Sequence, residues 1–84
     1  MPGSTPISPH EAFGQVLRKH RLAAGLSQEQ LGLESGVQRN FISLIETGQN
    51  QPTIGTVFRL AQALNVKPSK LVADAEKLIQ VDST

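Results

Sequence analysis

The chain has 84 residues, 38% of them hydrophobic and 18% charged, with a formal net charge of +1, which allows one domain around one small core. It holds no cysteine, so disulfide and thiolate chemistry are excluded and a reducing, cytoplasmic setting is expected. No apolar run approaches the ~20 residues of a membrane span, and the opening MPGSTPIS lacks the basic and apolar regions of a secretory signal. So small a net charge neither announces nor excludes a polyanionic partner; its distribution matters more. Arg18, Lys19, His20 and Arg21 form a run, while Glu11, Glu29, Glu34, Asp74 and Glu76 are scattered. Taken alone, that run reads as a solvated helix face.

In chain order, residues 1–7 are small, polar and proline-containing, and are expected to be a disordered tail. A strong helix start follows, with Ser8 as N-cap, Pro9 at the first helical position and Glu11 completing a capping box. The first helix is expected to run to about Ala24, with Phe13, Leu17, Arg21 and Ala24 on one face and Val16 beside it, and Gly25 stopping it. A second helix spans about 28–34 and a third about 38–47. After a polar loop, Thr53 caps a fourth helix from Ile54 to Leu64 whose inward residues are Val57, Leu60, Ala61 and Leu64, and Asn65 ends it in a left-handed conformation. A fifth helix opens at Pro68 and runs to about Gln80, leaving 81–84 as a short tail. Residues 8–80 thus form one compact all-α domain of five helices.

The segment 27–48, SQEQLGLESGVQRNFISLIETG, is the most informative part of the chain. Ser27 caps the second helix with Gln30 three residues on, and Leu31 anchors it inward. Gly36 sits where the helix must stop and the chain must turn, and Val37 plugs back into the core. In the third helix Ile42 and Ile45 face in, while Arg39, Asn40 and Ser43 face out. A short helix held on the surface with hydrogen-bonding side chains outward is the arrangement of a helix-turn-helix, whose second helix reads the DNA major groove.

Several features then recur in order: Arg21, Gly25-Leu26-Ser27-Gln28, Leu31, Gly36-Val37, Ile42-Ser43, Glu46-x-Gly48, Pro52 and Leu60-Ala61-x-Ala63-Leu64. Over about residues 13–72 the chain resembles the phage repressor and Cro-type helix-turn-helix family, which includes bacterial regulators and restriction–modification controllers. Four departures stand out. His20 takes a position that is often aliphatic. Gly32 replaces the usual alanine, at a cost of about 1 kcal/mol of helix stability. Gln38 stands where a Ser or Thr cap is usual. The loop at 49–51 lacks the Lys or Arg frequent there.

The candidate base-reading residues are Gln38, Arg39, Asn40 and Ser43. An arginine suits guanine O6 and N7 and an asparagine suits adenine N6 and N7, each through two hydrogen bonds. Leu44 reads as partly exposed. Phe41 reads as packing on the flank of the third helix, with contact to a sugar or thymine methyl as the sharper alternative. Gln28 opens the second helix, where backbone N–H groups bind anions, and the resemblance makes it a phosphate contact. Thr47, Gln49, Asn50 and Gln51 are further, uncharged phosphate candidates. Arg21 and Glu46 both fall on inward-leaning faces, and the resemblance implies that they meet as a structural ion pair.

No nucleophile–base set, phosphate loop, cofactor motif or metal-ligand cluster is evident. The sequence therefore reads as a sequence-specific double-stranded DNA-binding transcriptional regulator, acting as a homodimer on a two-fold related operator. A protein-interaction module, such as an antitoxin or adaptor, is the rival reading. On the fifth helix Leu71, Ala75 and Leu78 are expected to pack on the fourth, while Val72 and Ile79, with Val66 nearby and Val81 continuing the patch, extend the apolar surface and mark the expected dimer interface.

Overall fold

The computed structural model describes residues 7–83, with the backbone alone at 81–83. It contains five helices, α1 (Pro9–Ala23), α2 (Gln28–Ser35), α3 (Arg39–Glu46), α4 (Ile54–Leu64) and α5 (Pro68–Ser83), and no strand among the described residues. The boundaries follow local chemistry. At α1 the Ser8 hydroxyl accepts from the Glu11 N–H at 3.2 Å, and the Glu11 carboxylate accepts from the Ser8 N–H at 2.9 Å. The same reciprocal pair closes the start of α2, between Ser27 and Gln30, at 3.0 and 2.8 Å. Each satisfies two otherwise orphaned backbone donors. Gly36 ends α2 at φ 76°, a conformation that costs a residue with a Cβ. Asn65 ends α4 at φ 60°, as its short polar side chain tolerates.

Leu17, Leu31, Ile42, Ile45, Leu60 and Leu71 are fully buried, one or two from every helix, and define the centre of a single core. α2 has only one fully inward residue, Leu31. So short a helix is held by its neighbours and its cap rather than by propensity.

The observed structure differs from the expectations in four places. Ala24 is exposed and lies after the end of α1; the inward face of α1 includes Ala12 and Gly14 instead. Ile7, assigned to the tail, packs partly against the core, while residues 1–6 lie outside the described residues. α5 continues to Ser83 rather than ending near Gln80; Thr84 and the side chain of Val81 lie outside the described residues. Finally, α5 packs most extensively on α1, not α4. His20 of α1 meets Asp74, and Phe13 and Ile79 line one cleft nearer the start of α1 and the end of α5, so the two helices run in opposite directions. The apolar period of α5 defines which face is buried but not which neighbour buries it.

Candidate nucleic-acid interface

The geometry of α3 is set from behind, by its crossing with α1. A Cβ built at Gly14 would overlap the Ile45 carbonyl oxygen and stand 3.1 Å from the carbonyl oxygen of Glu46. The two backbones therefore touch, and only glycine permits it. A second close approach brings α2 to the turn before α3. A Cβ on Gly32 would lie 2.9 Å from the Val37 carbonyl oxygen, so even the small alanine common at this position in the family requires a local adjustment here.

Arg21 and Glu46 meet as the resemblance implied. Arg21 Nε donates to Glu46 Oε2 at 2.6 Å and its Nη2 donates to Oε1 at 3.0 Å, a two-pronged pair. Both side chains are almost wholly removed from solvent. The third guanidinium nitrogen, Nη1, donates to the Leu26 carbonyl at 2.9 Å. The Glu46 hydrogen bond holds the Arg21 guanidinium protonated above its ordinary range, against the opposing effect of burial. Gln28 joins this network: its Nε2 donates to Glu46 Oε1 at 3.0 Å. The sequence placed Gln28 at a phosphate; its side chain is in fact partly buried and tied to the end of α3. What the first turn of α2 offers an anion is therefore chiefly its backbone N–H groups. No buried side-chain nitrogen or oxygen among the described residues lacks a partner.

Around this braced centre the predicted contact residues are arranged as follows. Gln38, Arg39 and Asn40 are exposed at the head of α3, and Ser43 lies half-buried one turn on. Gln38 occupies the N-cap position but its side chain makes no capping bond. Arg39 has no ion-pair partner among the described residues. Phe41 packs partly against the core, in agreement with the packing reading. At the far end of α3, Thr47 Oγ1 donates back to the Ser43 carbonyl at 3.0 Å and accepts from Gln49 Nε2 at 3.0 Å. The N–H groups of Gln49 and Asn50 both go to the Leu44 carbonyl, at 2.9 and 3.2 Å. That loop is thus closed on itself, and its outward groups are side-chain amides. Gln51 is exposed and Asn50 half-buried.

The expected interface residues on α5 are not equivalent. Val72 is 50% exposed, whereas Val66 and Ile79 are partly buried against the core. Sequence reasoning missed four further exposed apolar side chains: Leu22, Leu33 and, four residues apart on α4, the pair Ile54 and Phe58. The spacing of that pair was the available signal.

Comparison with known proteins fits this geometry. The family described as "Helix-turn-helix" matches residues 17–71, more than half of the chain. An uncharacterised HTH-type transcriptional regulator of Sinorhizobium fredii, y4dJ, is 34% identical over 64 residues, which cover 76% of this chain and 83% of that protein. The control protein C.BamHI of Bacillus amyloliquefaciens is 36% identical over 61 residues, covering 71% of this chain and 75% of its own. Among solved structures, the restriction–modification controller C.AhdI of Aeromonas hydrophila superposes with a TM-score of 0.72 at 40% identity, over 74% of this chain and 94% of that one. The ordered caps, the glycine turn, the surface-held third helix and these likenesses converge: the chain belongs to the helix-turn-helix family of DNA-binding transcriptional regulators.

Proposed function

We propose that this chain regulates transcription in the cytoplasm by occupying a specific double-stranded DNA site as a homodimer, with α3 in the major groove and α2 across the backbone. The observation that carries this reading is the contrast within α3. Its rear is fixed by Arg21, Glu46 and Gln28, while the head presents Gln38, Arg39 and Asn40 to solvent, with no ion-pair partner for Arg39 among the described residues. Arg39 and Asn40 read base edges; Ser43 adds a base or phosphate contact. The N-terminus of α2, with Thr47, Gln49, Asn50 and Gln51, grips the backbone and sets the register. The dimer forms through α5, with Val72 at its centre and Val66 and Ile79 at its edges, bringing two copies of α3 about 34 Å apart, one turn of DNA. Kinship with control proteins of restriction–modification systems supports action by occupancy of a promoter.

The test begins with selection of bound sequences from random DNA, followed by titration of the selected site. Arg39→Ala should weaken binding to that site by about 1–3 kcal/mol and barely change affinity for random DNA. Equal losses on both DNAs at fixed salt would remove Arg39 from base reading.

A further inference from the structure

A groove of about 550 Å³ lies between α1 and α5. No residue of α2, α3 or the loop after α3 lines it, so it is separate from the proposed DNA-reading surface. Its floor is apolar, formed by Val16, Ala23 and Leu78. Its walls carry basic side chains: Lys19 comes from α1, and Lys70 and Lys77 from α5, with the His20 imidazole beside them. Three of the chain's four lysines thus converge on one groove.

The single carboxylate in the lining does not neutralise that charge. Asp74 is already held at both oxygens, by His20 Nε2 at 2.9 Å and by Lys70 Nζ at 3.3 Å. Lys19 and Lys77, on opposite walls, are left without an ion-pair partner among the described residues. The groove therefore pairs an unmet demand for negative charge with a small apolar floor. Its volume falls within the roughly 300–1,000 Å³ of small-ligand sites, and three floor residues are too few for the core of a stable protein–protein interface.

We propose that the α1–α5 groove binds a small amphipathic anion, a single carboxylate carried on an apolar chain. The carboxylate sits between the Lys19 and Lys77 ammonium groups, and the chain covers Val16 and Leu78. Recognition needs both halves. A carboxylate without a tail gains only a solvated ion pair, and a tail with a cationic head meets like charge.

The experiment is an amide-shift titration of the full chain with decanoate, kept below its micelle concentration, against acetate and decyltrimethylammonium. Decanoate should move the amides of residues 15–23 and 70–78, and neither control should. The double variant Lys19→Gln/Lys77→Gln changes only two exposed side chains, and its fold is checked by its melting temperature. It should weaken decanoate binding about tenfold or more. The proposal is overturned by no shifts at millimolar decanoate, equal binding of acetate or decyltrimethylammonium, equal affinity in the double variant, or shifts centred away from the groove. If a random-sequence DNA duplex moves these same amides and decanoate fails to compete, the groove is a phosphate-backbone surface and the proposal fails.

Discussion

The crossing of α1 over the end of α3 is the feature most open to a decisive test. In an ordinary helix interior, Gly→Ala stabilises by roughly 0.5–1 kcal/mol because alanine loses less backbone freedom on folding. At Gly14 the added methyl would overlap the Ile45 carbonyl oxygen and stand 3.2 Å from the Glu46 carbonyl carbon. These are backbone atoms, which cannot rotate aside as a side chain would. The helices must separate, at an overpacking cost of about 1–3 kcal/mol, and the fully buried Ile42 and Ile45 lose contact as they do. We expect Gly14→Ala to destabilise by about 2 kcal/mol net, lowering Tm by about 10 °C in a domain of this size. Gly55, on α4, supplies the control. A Cβ there meets nothing nearer than Thr53 Oγ1, at 3.8 Å, so Gly55→Ala should be neutral or stabilise by up to about 1 kcal/mol. Thermal denaturation followed by circular dichroism measures both. A Gly14→Ala protein as stable as the parent, or a shift of equal sign and size in the two variants, would refute the close crossing. Because the crossing positions Glu46 and hence α3, Gly14→Ala should also weaken binding to the selected DNA site more than Gly55→Ala does.

Three other outcomes follow from the same geometry. Arg21→Ala leaves the Glu46 carboxylate buried without its main partner and should cost about 3–5 kcal/mol in denaturant unfolding; a loss below about 1 kcal/mol would mean that the pair is effectively solvated. The hydrogen bond from His20, helped by Lys70, holds the Asp74 carboxyl below its ordinary value of about 3.8. Its folded-state value is depressed, so its contribution is present above the ordinary range and is lost as pH falls through that folded value. The stability gap between parent and Asp74→Asn should therefore close under strong acid, and a gap that persists unchanged to pH 2 would contradict this. Val72→Asp, placed at an exposed site, should convert a micromolar dimer to monomer in sedimentation and weaken operator binding; a parent protein that is already monomeric, with operator affinity untouched by the substitution, would exclude α5 as the interface.

What the sequence revealed was mostly local. Ser8 with Glu11 and Ser27 with Gln30 announced both capping boxes, and Gly36 and Asn65 announced the left-handed stops, because each depends on neighbours within a few residues. The Arg21–Glu46 pair was accessible only through family resemblance. Its spacing of 25 residues carries no local signal. The His20–Asp74 contact, 54 residues apart, was missed for the same reason. Gly14 did leave a trace: a glycine inside an otherwise strong amphipathic helix commonly marks a close approach. Gln28 was assigned by position, at the start of α2, to a phosphate. Its side chain turned inward because a buried carboxylate, Glu46, had a free acceptor site within reach. Periodicity reports how a helix divides its faces; which neighbour each face meets is decided by topology.

The buried network explains why an ionic group persists where an apolar one would serve stability as well. A buried ion pair is weak as a source of stability, since desolvation offsets most of its attraction. Its value here is directional. Arg21 spans from α1 to the Leu26 carbonyl before α2 and to Glu46 at the end of α3, while Gln28 ties the start of α2 to that same carboxylate. An apolar side chain in place of Arg21 would fill the space but accept several rotations of α2 against α3. Hydrogen bonds of fixed geometry accept few. Helix α2 has one buried anchor, Leu31, and the N-cap of α3 lacks a side-chain bond, so neither helix fixes its own angle. The ion pair and the glutamine supply that constraint, and with it the orientation in which Arg39 and Asn40 are presented.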